Sequence, residues 1–289
     1  MKRQRNIWTI GGDLRQEKLA ELLSEDGHSV HTYALDRTAS QASVTAEKTL
    51  DGVEKADCVV LPLPVCGKAG MLNTPLSDRE HPLGELLSRV SPRQFLCGGM
   101  VGEEAAALAA GYGLTIYDYF RREELAVANA VPTAEGAVEI ALEELPVTLH
   151  GARTLVLGYG RVGKLTAHRL AALGAQVTVA ARSYEALAWA EAYGHSAQRL
   201  GDLAGYLCGY DLVVNTIPRR VLTRELLEEL KEGCLVIDLA SKPGGVDFQA
   251  AAELGVQCVW ALSLPGKVAP VTAASALRNT IYNMLREYS

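Results

Sequence analysis

The segment TLVLGYGRVGK, residues 154–164, decides the fold of the second half of the chain. An apolar run typical of a buried strand ends at Gly158, and the sequence after it has the spacing of an amphipathic helix. Gly158 permits a tight turn, Gly160 lets a pyrophosphate approach the backbone, and Gly163 lets the helix pack close to the strand. The N–H groups and positive dipole at the start of the helix favour a bound anion. The pattern therefore predicts a dinucleotide-binding strand–turn–helix unit. Further candidate cofactor contacts in this turn are Tyr159, Arg161 and Val162.

The same glycine turn allows two other interpretations. Residues 158–164 match the GxxxxGK part of a nucleoside triphosphate loop, but that loop needs Ser or Thr next to hold magnesium, and Leu165 stands there. A glycine turn that binds no ligand is the second alternative. The strand before the turn, the helix after it and the strand beyond the helix favour dinucleotide binding.

The stretch VTVAARS, residues 177–183, ends the second strand of this unit. An Asp or Glu about 20 residues past the glycines would bond the ribose 2′-hydroxyl of NAD. Here the strand ends with Arg182 and Ser183, and the first acid is Glu185. A guanidinium group offers a planar fork of donors to phosphate, so these residues predict NADP(H) as the cofactor. The alternative is a solvated arginine on a loop.

The segment NTIP, residues 215–218, follows another predicted strand on the edge where ligands sit in open α/β sheets. Asn215 and Thr216 are predicted to cap the next helix, to contact the cofactor ribose, or both. Ile217 and Pro218 complete this candidate cofactor segment.

Two later loops, DLASKPGG (residues 238–245) and LPGKVAPVT (residues 264–272), also follow strands and contain glycine. Each carries one lysine, Lys242 and Lys267. Both are candidate carboxylate binders, and solvated loop lysines are the alternative. In the first half of the chain, GGDLR presents Arg15 after two glycines. That turn predicts either an anion site facing an interdomain cleft or a simple turn with a surface ion pair.

Composition limits the class of protein. The 289 residues, 48% of them hydrophobic and 21% charged, are enough for two domains. The net charge of -6 argues against a nucleic-acid partner, because phosphate binding needs a basic face and the only basic run is the MKRQR start. The apolar run after this start is too short for a signal peptide, and no membrane span is expected. We predict a cytoplasmic protein.

Six cysteines without a CxxC pair and six histidines without ligand spacing predict no metal site. The cysteines are expected to be small buried side chains in a reducing compartment. His28 and His31 are expected to be solvated loop residues.

Apolar runs alternate with helical stretches along the chain, which predicts parallel sheets with flanking helices in two α/β domains. Residues 1–131 form the first domain, a substrate or partner domain. Residues 132–150 hold a connecting helix that Pro132 opens. Residues 151–270 form a Rossmann NADP-binding domain, and a C-terminal helix in residues 271–289 can pack back on the first domain.

Several stretches in combination resemble the A-subunit family of bacterial dipicolinate synthase. They are GGDLRQEKLAELLSEDGHSV, LPLP, LNTPLS, VPTAEGAVEIAL, GYGRVG with AARS, IDLASKPGGVDF and LPGKVAP. The last stretch also resembles the glycine-containing loop and following Thr of methylenetetrahydrofolate dehydrogenases. That likeness implies that Gly266 and Thr272 lie near the nicotinamide ring.

The resemblance implies a role in sporulation, in the mother-cell cytoplasm. The implied reaction converts a dihydrodipicolinate-type product into pyridine-2,6-dicarboxylate with NADP+ as acceptor, and the implied partner is the synthase's B-subunit, which looks like a flavoprotein. Candidate residues for the two substrate carboxylates are Arg15, Thr133, Lys242 and Lys267. Asp238 is either the general base or a buried structural acid, and a water is a further alternative.

Two other functions remain open. The chain is either a non-catalytic NADP(H)-binding subunit that scaffolds the flavoprotein, or another small-molecule dehydrogenase related to shikimate or methylenetetrahydrofolate enzymes. The absence of a recognisable Lys–Asp pair in the first domain disfavours the latter. The sequence leaves the oligomeric state open, a homo-oligomer included.

Overall fold

The structure is a computed structural model that describes residues 4–37, 43–68 and 70–288. It divides into two compact units, Met1–Ala128 with Ala269–Ser289, and Asn129–Val268. The first three residues of the basic start and the last residue of the C-terminal range lie outside the described residues.

The first unit begins with a strand and a helix and continues through short strands. Its elements are β1 (Asn6–Ile10), α1 (Leu14–Glu25), β2 (Ser29–Tyr33), β3 (Thr45–Glu47), β4 (Cys58–Val60), β5 (Cys66–Lys68), β6 (Met71–Leu72), α2 (Leu83–Leu87), β7 (Phe95–Gly98), α3 (Glu103–Gly111) and β8 (Tyr117–Asp118). Helix α4 (Glu123–Glu144) then leads into the second unit.

The second unit repeats the alternation of strands and helices. Its elements are β9 (Arg153–Leu157), α5 (Arg161–Ala172), β10 (Gln176–Ala181), α6 (Tyr184–Ala192), β11 (Ser196–Arg199), β12 (Leu212–Asn215), α7 (Arg224–Glu228), β13 (Leu235–Asp238), α8 (Phe248–Glu253), β14 (Gln257–Trp260) and α9 (Leu264–Val268). The final helix, α10 (Pro270–Glu287), belongs to the first unit.

Each unit contains a six-stranded sheet whose paired strands all run parallel. The strand orders are β3-β2-β1-β4-β7-β8 and β11-β10-β9-β12-β13-β14. The predicted class, two α/β domains with parallel sheets, is therefore confirmed. In both sheets the order reverses beside the first strand, between β1 and β4 and between β9 and β12. Ligands of open α/β sheets bind at the carboxyl ends of the strands at such a reversal.

Both faces of each sheet are covered by apolar side chains, as parallel sheets require. In β9, Val156 joins the cluster on one face, whereas Leu155 and Leu157 join the cluster on the other. The same alternation in β1 sends Ile7 to the face that α10 covers with Leu277 and other apolar residues. Helix α10 packs against α1 in the same unit, which confirms that the C-terminal helix returns to the first domain.

The prediction that Pro132 opens the connecting helix is wrong. Helix α4 begins at Glu123, and Pro132 lies inside it. Proline has no N–H group, so Pro132 cannot donate the usual helical hydrogen bond to the carbonyl of Ala128. The helix has 22 residues, however, and Ala130 and Ala134 on either side of Pro132 are buried. Packing of the apolar face outweighs the local cost.

The histidine prediction is also wrong, because His28 is buried and His31 lies within β2. The ring of His31 stacks on Trp8 at 5.2 Å, and its Nδ1 lies 2.8 Å from a carboxylate oxygen of Glu47. Neither is a solvated loop residue.

Among the described residues, α4 alone is long and apolar enough to cross a membrane by length and composition. A core helix passes the same test, and Ala134, Ala137 and Ala141 of α4 are buried in the protein. The helix is thus weak evidence for a membrane span.

Candidate functional site

The glycine turn lies at the carboxyl end of β9, beside the reversal of strand order. Gly158 has a φ of 94°, and a Cβ atom there would lie 2.5 Å from Thr216 Oγ1. A Cβ at Gly163 would lie 2.1 Å from the carbonyl oxygen of Gly158. Both positions therefore require glycine, the first for its backbone angle and the second for the approach of α5 to the strand.

Gly160 differs from the other two glycines of the turn. It is the N-cap residue of α5, it is exposed, and a Cβ atom there would meet nothing within 4 Å. Protein packing therefore gives no reason for glycine at residue 160. Open space over the N-terminus of a 12-residue helix is the arrangement that a pyrophosphate needs.

The side chain of Tyr159 points into the protein. It is 7% exposed, and its ring meets His195 edge-on at 6.3 Å. Burial raises the pKa of Tyr159. A cofactor on this turn could thus reach only the backbone of Tyr159, whereas Arg161 is exposed and Val162 is half-buried at the start of α5.

Asn215 and Thr216 shape the neighbouring strand end through their side chains. Asn215 is fully buried, and its Oδ1 accepts a hydrogen bond of 3.1 Å from the N–H of Ile217. The hydroxyl of Thr216 donates to the carbonyl of Leu157 at 2.8 Å. The next helix, α7, has Thr223 as its N-cap residue. The prediction that Asn215 and Thr216 cap that helix is therefore wrong, because the chain turns for several residues before α7 begins.

Asp238 is fully buried at the end of β13 and accepts three hydrogen bonds. Its Oδ1 accepts from Asn215 Nδ2 at 2.7 Å and from the N–H of Ala240 at 3.0 Å, and its Oδ2 accepts from the N–H of Gly245 at 2.7 Å. A Cβ at Gly245 would lie 2.1 Å from Asn215 Nδ2. The carboxylate thus ties β12, β13 and the following glycine loop together, the geometry of a structural acid.

Arg182 follows β10 directly and is exposed. Among the residues that the structure describes, its guanidinium has no hydrogen-bond or carboxylate partner. Ser183 is the N-cap of α6, where its Oγ accepts from the N–H of Ala186 at 3.2 Å. The sheet links this end to the glycine turn, since the N–H of Gly158 donates to the carbonyl of Ala180 at 2.9 Å.

The two candidate lysines are exposed residues of the second unit. Lys242 lies in the loop after β13, and Lys267 lies in the short helix α9.

The segment around Gly266 is helical, because it lies within α9, contrary to the loop that the sequence predicts. This short helix packs closely on α4, since a Cβ atom added at Gly136 would lie 3.0 Å from Val268 and 3.1 Å from Leu264. Thr272 is an exposed residue of α10, in the first unit.

The other two substrate candidates already bond to neighbouring groups. Arg15 Nη2 lies 2.7 Å from Asp13 Oδ2, and its Nε donates to Oδ1 of the same carboxylate at 2.9 Å. Asp13 is the N-cap of α1, so a carboxylate from the chain itself occupies that helix end. The surface ion pair of the second interpretation is thus present. Thr133 Oγ1 donates to the carbonyl of Asn129 at 2.7 Å.

Arg199 is a candidate that the sequence did not single out. It ends β11 and is the Cα partner of Ala181 in β10, so it lies beside the strand end that precedes Arg182. An arginine at the end of the third strand was the available signal. Strand register, which the sequence does not give, decides its place.

No group of three or more His, Cys, Asp or Glu residues that could hold a metal ion occurs within the described part of the chain. The polar groups that meet at the carboxyl edge of the second sheet are held by backbone and amide contacts, such as those of Asp238 with Asn215 and with the N–H of Gly245. Together with the glycine turn after β9, the ends of β12 and β13 form a cradle that is open at Gly160.

Comparisons with known proteins agree with this architecture. A family model for the N-terminal domain of the dipicolinate synthase A-subunit matches residues 6–120, and one for the C-terminal domain of alanine dehydrogenase/PNT matches residues 124–289. The dipicolinate synthase A-subunit of Bacillus subtilis (strain 168) is 31% identical over 284 residues, which cover 97% of this chain and 96% of that protein.

Solved structures give the same result. The crystal structure of the dipicolinate synthase A-subunit from Bacillus halodurans superposes with a TM-score of 0.89 at 32% identity and covers 97% of both chains. A transhydrogenase from Sinorhizobium meliloti has a TM-score of 0.70 at 21% identity over 96% of this chain and 93% of that one, which shows the shared fold alone. The chain therefore belongs to the A-subunit family of dipicolinate synthase, and its second half is a dinucleotide-binding domain of the alanine dehydrogenase type.

Proposed function

We propose that this chain is the A-subunit of a dipicolinate synthase, an oxidoreductase that converts a dihydrodipicolinate-type intermediate into pyridine-2,6-dicarboxylate with NADP+ as hydride acceptor. The observation that carries the proposal is the 97% coverage by the Bacillus subtilis protein of that name. The proposed setting is the mother-cell cytoplasm of a sporulating bacterium. The proposed partner is the synthase's B-subunit, which resembles a flavoprotein.

The cofactor proposal is supported by the cradle at the carboxyl edge of the second sheet. Gly158 and Gly163 have contacts that only glycine satisfies, and Gly160 faces open space. Arg182 offers an exposed guanidinium where NAD-binding domains place an acid. The proposed NADP-binding domain is residues 151–270, with residues 1–131 as the substrate or partner domain. When bound, NADP+ supplies a hydride acceptor.

The substrate carries two carboxylates, so its binding needs donors that are not already used. Lys242 and Lys267 are exposed and have no carboxylate partner among the described residues. Arg15 already holds Asp13, and the Thr133 hydroxyl hydrogen is directed to Asn129. The two lysines are therefore the stronger candidates for holding the ring carbon at near-attack distance.

The reaction removes one hydride from a ring carbon and one proton from the ring, and formation of the aromatic product makes it downhill. The proton needs an acceptor. Asp238 is a poor one, because its two oxygens are buried and already accept three hydrogen bonds. In this proposal Asp238 fixes the turn and a water takes the proton.

The bonding of Asp238 also favours a second candidate function, a non-catalytic protein that binds NADP(H) and scaffolds the flavoprotein partner. The chain would then need no general base of its own. Its role would be to present the cofactor.

The purified chain, alone and with its flavoprotein-like partner, tests both functions with a dihydrodipicolinate deuterated at the carbon that loses hydride. Deuterium recovered in NADPH supports direct transfer. Oxidation that requires the partner and leaves NADPH unlabelled would favour the scaffold, and no NADPH under either condition would contradict the proposed reaction. The Gly160→Ala variant, whose added Cβ meets nothing within 4 Å, is the control for dependence on the cradle.

A further inference from the structure

Arg199 and Tyr184 form an exposed stack at the end of β11. The guanidinium carbon of Arg199 lies 5.0 Å from the centre of the Tyr184 ring, and its Nη1 donates to the Tyr184 hydroxyl at 3.1 Å. Tyr184 is the first residue of α6 and is 70% exposed. The stack therefore fixes the guanidinium plane beside the N-terminus of α6 and leaves donors of Arg199 available.

Strand register brings this stack next to Arg182. Ala181 and Arg199 are Cα partners in neighbouring parallel strands, which lie about 4.8 Å apart. Arg182 is the next residue after Ala181, so the two arginines lie at the carboxyl ends of adjacent strands, offset by one residue. Tyr184 follows Arg182 by two residues. Because the Arg199 guanidinium donates to the Tyr184 hydroxyl, the Arg199 side chain is directed toward the end of β10 where Arg182 lies.

Within the described ranges no carboxylate pairs with Arg182 or Arg199, although the chain as a whole carries a net charge of -6. Other arginines of the second unit do have acidic partners, as Arg169 has Glu135 at 3.3 Å and Arg220 has Asp247 at 3.1 Å. Two adjacent cations without an acid favour an anion between them.

We propose that Arg199, oriented by Tyr184, is the second cation that recognises the 2′-phosphate of NADP(H), opposite Arg182. The inference rests on the proposed cofactor and adds a specificity-determining residue to it. Two guanidinium groups from adjacent strand ends would hold the phosphate on two sides, with Tyr184 keeping one of them in place.

Calorimetric titration with 2′,5′-ADP and with 5′-AMP tests the inference, because these probes differ only in the 2′-phosphate. Arg199→Ala should weaken 2′,5′-ADP binding at least about tenfold and leave 5′-AMP binding unchanged. Tyr184→Phe, which keeps the ring and removes the hydroxyl, should give a smaller loss in the same direction. Arg182→Ala combined with Arg199→Ala should abolish the preference between the probes.

Arg153→Ala is the matched control. Arg153 also stacks on a tyrosine, Tyr210 at 5.8 Å, but it lies at the opposite, amino end of β9. It should leave both affinities unchanged. If Arg199→Ala weakens the binding of both probes equally, or still prefers 2′,5′-ADP as the wild type does, the role of Arg199 is overturned while the cofactor proposal stands. A wild-type chain without preference for 2′,5′-ADP would overturn the NADP proposal as well.

Discussion

The carbonyl oxygen of Gly158 lies so close to the Cα of Gly163 that a Cβ atom there would be 2.1 Å away from it. Helix α5 can therefore approach the end of β9 only with glycine at residue 163. Gly160, between them in the same turn, has no such neighbour. Packing thus requires glycine at residue 163 and gives no reason for glycine at residue 160.

Gly160→Ala is expected to weaken NADP(H) binding at least about tenfold while changing the free energy of unfolding by only about 1 kcal/mol, the scale of an N-cap change. Calorimetric titration and urea unfolding measure the two effects. Gly102→Ala is the matched control, since Gly102 is the N-cap of α3 and also has nothing within 4 Å. Wild-type cofactor affinity in Gly160→Ala would show that no pyrophosphate lies on this turn.

Arg182→Ala is expected to weaken NADPH binding by about 1.5 to 3 kcal/mol and to leave NADH binding nearly unchanged. The reason is that only NADPH carries the 2′-phosphate. Thermal stability should barely change, because Arg182 is exposed and has no partner in the described part of the protein. Added salt should shrink the wild-type preference. Titrations of both cofactors into both proteins check this, and equal losses for NADH and NADPH would exclude the proposed role.

The sequence predicts the glycine turn and both parallel sheets, because apolar runs and glycine spacing are local signals. It does not predict the structural bonding of Asp238, which depends on Asn215 from a neighbouring strand and on Gly245 from a loop. The place of Arg199 depends in the same way on the register of β10 with β11. Helix α4 shows the opposite failure, since a local proline signal at Pro132 is overridden by the packing of a longer helix.

Asp238→Asn is expected to lower the stability of the second unit by about 1 to 3 kcal/mol. The carboxylate now accepts hydrogen bonds from Asn215 Nδ2 and from the N–H of Gly245. An amide NH2 in its place would face one of these donors with another donor and leave a buried group without an acceptor. The pH dependence of any residual kcat should stay that of the wild type. Urea unfolding and a pH–rate profile measure both, and a lost acidic limb with unchanged stability would identify Asp238 as the general base instead.

Lys267→Ala is expected to weaken dipicolinate binding by about 1.5 to 3 kcal/mol, the range for a charge-assisted hydrogen bond, and to leave NADP(H) affinity nearly intact. Lys231→Ala is the control, because Lys231 pairs with Asp211 at the amino end of β12 in the same unit. Competition titration with dipicolinate gives the affinities. An unchanged value in Lys267→Ala would remove this lysine from the substrate site.

His81 predicts a pH dependence of stability in the first unit. It is 6% exposed, and its Nε2 lies 2.9 Å from Ser77 Oγ. The Ser77 hydroxyl donates to Asp36, so Nε2–H donates to Ser77 and the neutral ring accepts from the Tyr33 hydroxyl at Nδ1, 3.0 Å away. Burial, with the nearby Arg79, lowers the pKa of His81.

Because the folded protein binds this proton less readily than the unfolded chain, whose histidine pKa is about 6.5, stability should fall as the pH drops below that value. The loss continues down to the folded-state pKa of His81. Urea unfolding at about pH 7.5 and about pH 5.5 should show a smaller pH-dependent loss in His81→Gln than in the wild type, since glutamine does not titrate. His195→Gln is the comparison variant in the second unit, where burial lowers the pKa of His195 in the same direction. Each variant should remove its own share of the loss, and a wild-type slope in His81→Gln would show that folding does not lower the pKa of His81.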